Sequence, residues 1–392
     1  MQTREERLVE FCQEAIRIPS PSGHEQGVAE LMKRKMEEYG FDEVIVDKYG
    51  SVLGTVIGKR PGKTVLLDGH IDHVDVIDAE KWTHDPFGAK IVDGKIYGRG
   101  TSDMKGSDTA MISAVAHFIE DTGKDFAGKV CVSCTVHEEC FEGVSSREIT
   151  RLAKPDFVII GEATSTTVKI GQRGRAEVVV ETQGVSCHSS SPEKGVNAVY
   201  HMMAVIDEIK KIVPNEHPIL GKGILELTDI ISYPYPGASV VPSLCRATYD
   251  RRTLIDEDEG IILGQINEAI DRAQVRIPDL KARCYLAEGE TGCWTGETIQ
   301  AKRYFPAWLI DEENEFVQKS LAGLREAGIN APISHFAFCT NGSHFCGEAG
   351  IPCIGYGPSS ETLAHVRDEY IEIDQLTKAC HGYECILKSL LT

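Results

Sequence analysis

The chain has 392 residues, 42% of them hydrophobic and 26% charged. That is ordinary globular composition, and it excludes a disordered chain, a collagen-like repeat and a disulfide miniprotein. Asp and Glu number 60 against 41 Lys and Arg, a net charge of −19. Such a surface repels nucleic acid and anionic lipid, so neither is expected as a partner. No apolar run approaches the ~18 residues of a membrane span. The charged segment Met1–Arg7 has no apolar stretch behind it, so it does not read as a signal peptide. The 13 cysteines are scattered through apolar segments and form no framework. Reduced thiols in a cytoplasmic protein are therefore expected. Cys131 and Cys134 form a C-x-x-C, but they fall in a strand-like segment, where positions three apart face opposite sides.

In chain order, Glu6 to Ile18 has apolar residues at helical spacing. Ser22 followed by Glu25 reads as a capping box for a helix running to Tyr39. Strands are expected at Glu43–Asp47, Val52–Ile57 and Thr64–Leu67, the last apolar enough to be buried on both faces. A helix over Ser107–Asp121 follows, then strands at Val130–Val136 and Phe157–Ile160. This alternation predicts a layered α/β domain with a central, mostly parallel sheet. From Ala176 the order changes to strand (Glu177–Gln183), helix (Val196–Val213), strands (Ile224–Ser232 and Arg246–Arg252), helix (Glu257–Ala273) and strand (Ala282–Glu288). That βαββαβ unit is similar to a ferredoxin-like domain. The helix Glu312–Ala327 and the short strand Pro352–Gly355 return to the first style. The expected division is residues 1–175 with 295–392, and an inserted domain over 176–294.

Polar clusters stand at the ends of the buried strands, where α/β sheets place ligands. Asp68-Gly-His70-Ile-Asp72-His73 follows the apolar run Val65-Leu66-Leu67. In extended chain His70 and Asp72 point the same way, so the carboxylate can accept the second ring N–H of a metal-bound histidine. Gly98-Arg-Gly100-Thr-Ser-Asp103-Met-Lys-Gly106 presents one aspartate at a helix start. A carboxylate has two oxygens and can bridge two metals ~3.5–4 Å apart. His137-Glu138-Glu139 follows the strand Val130–Val136, where adjacent glutamates are costly without partners. One of them can ligate a cation while the other takes a proton from water. Gly161-Glu162-Ala-Thr164 supplies a further carboxylate, and His365 a further imidazole. Each motif alone also fits an ordinary loop. Together, two histidines and three carboxylates suit zinc with an open position for water.

In this order the motifs G-H-x-D, G-R-G-x-x-D-M-K-G, E-E, G-E-x-T and A-H resemble the di-zinc amidohydrolase and metallopeptidase family. That family includes aminoacylase, acetylornithine deacetylase, succinyl-diaminopimelate desuccinylase and carboxypeptidase G. The resemblance covers essentially the whole chain, and within the family it is similar to the branch labelled selenium-metabolism-linked hydrolases. It implies two zinc ions per chain, with cobalt or manganese as alternatives. His70 and Glu162 would hold one metal, Glu139 and His365 the other, and Asp103 both. Asp72 would orient His70, Glu138 would be the general base, and the Asp103–Met104 peptide would be cis. The inserted domain would be a lid and dimerisation domain. Its motif around His188 resembles the family's lid motif, whose histidine reaches the partner subunit's site. Arg252 would bind a substrate carboxylate, and its neighbour Arg251 would face the other side of the strand. Asn341, in Cys339-Thr-Asn-Gly-Ser-His344, would contact substrate less cleanly. One departure stands out: many relatives carry Asn-Val-Val-Pro where this chain has Ser239-Val-Val-Pro242. The implied function is hydrolysis of an N-acyl or N-carbamoyl amino acid by a zinc-activated water. The alternatives are a dipeptidase or short-peptide carboxypeptidase of the same family, and a metal-binding subunit without catalysis. The substrate would carry a free carboxylate, and the protein would be a homodimer.

Overall fold

A computed structural model describes residues 2–392. It divides into two compact units: residues 2–172, 290–300 and 308–392, and residues 173–289 with 301–307.

The first unit is built on a nine-stranded sheet. Its middle strands run Ala127–Thr135, Arg60–His70, Phe157–Ile160 and Cys353–Gly355, all parallel to one another. Val52–Ile57 and Glu43–Val46 extend one side antiparallel. Val168–Gln172 extends the other and carries Trp308–Leu309 and Ile333–Phe336. The middle strands are apolar because both of their faces are covered, as parallel strands require. Val65, Leu66, Leu67, Val130, Val132, Val158 and Ile159 are fully buried or nearly so. Helix Lys105–Thr122 is buried along most of its length and packs against the C-terminal helix Ile373–Leu391. Segment 290–300 rejoins this unit, and the Trp294 indole lies against Gly50. Gly50 has φ +104°, and a Cβ there would meet Trp294 Nε1 at 2.0 Å, so only glycine fits.

The second unit is a five-stranded antiparallel sheet. Four of its strands stand in the order Ile224–Tyr233, Leu244–Thr253, Gly174–Gln183, Lys281–Leu286, the ferredoxin-like order. Helices Ala198–Ile209 and Glu259–Arg276 cover one face through Met202, Val205, Ile266 and Ile270. Tyr304–Phe305 adds a short fifth strand beside Gly174–Gln183, a second crossing of the chain that the sequence did not signal.

The capping box expected at Ser22 and Glu25 is corrected. Helix Gln26–Glu38 has no side-chain cap, and the Glu25 carboxylate accepts instead from Gly23 N–H at 2.8 Å. Ser22 Oγ is committed to Asp72, 2.7 Å away. A capping box does form, unforeseen, one helix earlier: Thr3 and Glu6 cap Arg4–Ile16. All thirteen cysteines are free thiols, and those of the C-x-x-C are buried within the sheet.

Candidate dinuclear metal centre

The strand order decides what meets what. His70 is the last residue of its strand, Glu138 and Glu139 follow the adjacent parallel strand, and Glu162 follows the parallel strand on the other side. All three loops therefore leave the same edge of the sheet. Asp103 sits two residues ahead of helix Lys105–Thr122, and its peptide with Met104 is cis. His365 comes from the loop after Cys353–Gly355, with φ +61°.

These side chains converge. His70 Nε2 lies 3.0 Å from Asp103 Oδ1, 3.4 Å from Glu162 Oε1 and 3.9 Å from Glu138 Oε2. His365 Nε2 lies 3.1 Å from Asp103 Oδ2 and 3.0 Å from Glu139 Oε2. Asp103 thus divides its two oxygens between two donor sets. Oxygens of Glu138 and Glu139 are buried without a hydrogen-bond partner. Buried carboxylate oxygens left unpaired are costly, and divalent cations would satisfy them. Three-donor groups suited to a metal ion include His70 with Glu138 and Glu162, and His70 with Asp103 and Glu139. The donors, imidazole nitrogen and carboxylate oxygen, fit a pair of such ions.

The electrostatics follow from the crowding of charge. Burial opposes the charged form of the His70 ring, but Asp103, Asp72 and Glu162 outweigh it and push its pKa well up. Asp103 and Glu139 raise His365 to about 10. Burial, then Asp103, lifts Glu139 to about 7. Burial also raises Glu138 well above the usual carboxyl range, helped by Glu162, Glu142 and Glu139 and opposed by His70. Without a cation these carboxylates repel one another and favour protons.

Asp72 does more than orient a histidine. His70 Nδ1 contacts the Asp72 carbonyl at 3.0 Å, while the carboxylate stands 3.6 Å away. That carboxylate accepts from Glu138 N–H at 3.0 Å, Glu139 N–H at 3.2 Å and Ser22 Oγ. It pins the turn that presents both glutamates. His73, two residues from the His70–Ile71 pair, is structural: Nε2 accepts from Ser20 N–H at 2.9 Å, and burial lowers its pKa to about 4.

Sequence reasoning missed Glu369. Its carboxylate is fully buried and accepts from Arg99 Nη1 at 2.6 Å. It also accepts from the backbone N–H groups of Gly100, Ser102 and Asp103 at 3.1, 2.7 and 3.1 Å. The glycine-rich loop is wrapped around this one carboxylate, four residues after His365. No local signal links positions so far apart in the chain.

Asn341, expected to contact substrate, is engaged in the interior. It is 2% exposed, and its amide is fully used. Nδ2 donates to Asp68 Oδ2 and Thr135 Oγ1, both at 2.9 Å, and Oδ1 accepts from Gly143 N–H at 2.8 Å. His344 is likewise committed, to Thr150 Oγ1 and Glu348. In the second unit, His188 is exposed, and its Nδ1 accepts from Ser190 N–H at 3.1 Å and contacts Ser190 Oγ at 2.7 Å. Arg251 is buried in an ion pair with Glu257 at 2.9 Å, while Arg252 on the opposite face keeps a half-buried guanidinium whose Nε donates to Asp250.

Residues 66–389 match the family described as Peptidase family M20/M25/M40. The chain is 34% identical over 390 residues to the Escherichia coli K12 protein named uncharacterized protein YgeY, covering 98% of this chain and 94% of that protein. It is 31% identical over 395 residues to succinyl-diaminopimelate desuccinylase 2 of Ruegeria sp. TM1040, covering 97% and 94%. The fold is similar to the crystal structure of aminopeptidase PepT from Bacillus cereus, with TM-score 0.75, 17% identity and 98% of each chain covered. It is also similar to the M20 family metallo-carboxypeptidase Sso-CP2 from Sulfolobus solfataricus, with TM-score 0.74, 19% identity, and 100% and 99% covered.

Proposed function

Because this chain belongs to peptidase family M20/M25/M40 and is a metal-dependent amidohydrolase or peptidase, we propose that it hydrolyses the amide bond of an N-acyl or N-carbamoyl amino acid. The observation that carries this reading is the division of Asp103 between two donor sets, with Glu138 beside them holding an unpartnered oxygen. His70 and Glu162 would hold one ion, Glu139 and His365 the other, and Asp103 would serve both. A pair of zinc ions, or of cobalt or manganese, supplies Lewis-acid polarisation of the carbonyl and a nucleophilic water at neutral pH. Glu138 takes a proton from the attacking water and returns it to the leaving amine. The Glu138 carboxylate stands beside His70 with one buried oxygen unpartnered, which suits a group that must accept that proton. Asp72 keeps the Glu138 backbone fixed while this happens.

His188 accepts a hydrogen bond at Nδ1, so its neutral ring keeps the proton on Nε2 and presents a donor. That donor suits the developing oxyanion of a carbonyl held by the partner subunit. Arg252 offers a fork for the substrate carboxylate, a pairing that Arg251 cannot make from inside its ion pair. A homodimer through the second unit is supported by its outer strand Ile224–Tyr233, which pairs on one edge only and exposes Ile230. Free thiols, many of them buried, suit the reducing cytoplasm.

The test is amine release by the zinc-loaded protein from N-acetyl, N-succinyl and N-carbamoyl amino acids and from dipeptides. Turnover of an acylated or carbamoylated class, lost in Glu138→Gln, supports the proposal. Turnover of dipeptides alone makes the protein a dipeptidase, and silence across the panel with two metals bound overturns the reading.

A further inference from the structure

A second set of metal donors lies outside this centre. His117 sits twelve residues beyond Lys105 on the helix that begins near Asp103, about 18 Å along its axis. Cys380 and Glu384 stand one turn apart on the C-terminal helix that packs against it. His117 Nδ1 lies 2.7 Å from Glu384 Oε1 and 3.7 Å from Cys380 Sγ, and Sγ lies 3.9 Å from the same oxygen. The three residues are only 5%, 2% and 6% exposed for His117, Cys380 and Glu384. Nothing in the hydrolytic reaction uses them.

We propose that His117, Cys380 and Glu384 bind a third metal ion of the zinc type, which clamps the two helices together. The spacing fits. With metal–sulfur bonds of ~2.3 Å and metal–nitrogen and metal–oxygen bonds of ~2.0–2.1 Å, tetrahedral donors stand ~3.5 Å apart for sulfur and nitrogen and ~3.3 Å for nitrogen and oxygen. The sulfur is already placed to within a few tenths of an ångström, and the imidazole–carboxylate pair opens by about 0.6 Å to admit the ion. The charge fits as well: a dication with one thiolate and one carboxylate is neutral, the condition for burying it. A thiolate donor selects zinc over magnesium, calcium or manganese. A cleft of about 250 Å³ lined by His117, Ser113, Arg4 and Glu120 gives the ion a way in and room for a water at the fourth position. On binding, the Cys380 S–H and His117 Nδ1–H bonds break and metal–sulfur and metal–nitrogen bonds form; the imidazole takes up a proton at Nε2 in place of the one lost from Nδ1, and the thiol proton leaves to solvent. Without the ion, the thiol keeps only weak contacts beside a histidine–carboxylate hydrogen bond.

Cobalt substitution tests this directly, because the centre around Asp103 holds only nitrogen and oxygen donors. Metal-free full-length protein titrated with Co²⁺ should bind three equivalents and develop a thiolate-to-cobalt charge-transfer band in the near ultraviolet. Cys380→Ser should abolish the band and reduce the stoichiometry to two, with amide hydrolysis retained as proof of folding. His117→Gln keeps the thiol and should weaken the third equivalent at least tenfold. Cys385→Ser, one residue beyond the donor set, should leave the band unchanged. A two-equivalent endpoint without the band overturns the proposal, as does a band that survives Cys380→Ser. Should Cys380→Ser fail to fold, unchanged affinity for the third equivalent in His117→Gln overturns it.

Discussion

Replacing Glu369 by Gln should damage the metal centre without touching a metal donor. Oε2 accepts from Arg99 Nη1 and Gly100 N–H, and Oε1 accepts from the N–H groups of Ser102 and Asp103. A glutamine must turn an NH₂ towards one of these two pairs, so at least two donors lose their acceptor whichever way the amide lies. Arg99 is 4% exposed and would be left as a buried, unpaired cation. Breaking one side of a buried ion pair costs roughly 3–5 kcal/mol. A stranded backbone N–H adds roughly 1–3 kcal/mol, and the two costs overlap because they share one site. The expected loss is about 4–6 kcal/mol, a large share of the roughly 5–15 kcal/mol that holds a typical domain folded. Because Asp103 N–H is one of the anchored groups, metal affinity should also fall, by roughly 10–100-fold as for other partners that orient a ligand. Urea unfolding of the metal-free protein and a competition titration against a chelator measure the two effects. Adding Arg99→Met should recover part of the stability, since the stranded cation is removed. A stability loss below about 1 kcal/mol with unchanged metal affinity would refute the claim that Glu369 shapes the Asp103 loop.

Glu138→Gln should lower kcat by roughly 10²–10⁴-fold while leaving two metals bound at the centre, checked by turnover and metal analysis side by side. Asn341→Ala should cost about 2–4 kcal/mol in denaturant unfolding, because Asp68, Thr135 and Gly143 lose a buried partner, with KM unchanged; a raised KM at unchanged stability would make Asn341 a substrate contact after all. The metal-free protein should lose stability as pH rises. Glu139 titrates near 7 when folded, above the ordinary value of 4.5, so its contribution is full below about 4.5 and is lost as pH climbs through 7. Bound metal removes this loss, so the gap in thermal midpoint between metal-loaded and metal-free protein should widen from pH 5 to pH 8. A constant gap would contradict the assignment of Glu139 to the centre.

Local pattern carried much of this fold. Phe157–Ile160 and Val52–Ile57 were legible to the residue because short segments rich in apolar and β-branched residues, bounded by polar or turn-forming residues, leave few alternatives. Strand and helix ends elsewhere moved by a few residues, since propensity fades where caps and packing decide. The Ser22–Glu25 capping signature failed for a specific reason. Ser22 has a better acceptor in the buried Asp72 carboxylate, fifty residues away, and a local motif cannot register that competition.

The candidate site divides along the same line. The residue types and their positions at strand ends stand in the sequence itself, because metal ligation demands histidine and carboxylate and a parallel sheet delivers its loops to one edge. What each group does there depends on neighbours that only the packed chain supplies. Asp72 holds a turn more than it holds a ring, Asn341 braces Asp68 from inside the fold, and Glu369 shapes the loop of Asp103 from 266 residues away. Sequence spacing fixes which side chains can share a face over a few residues. Hydrogen bonds to buried backbone groups are closed by long-range packing, and those bonds settled the roles.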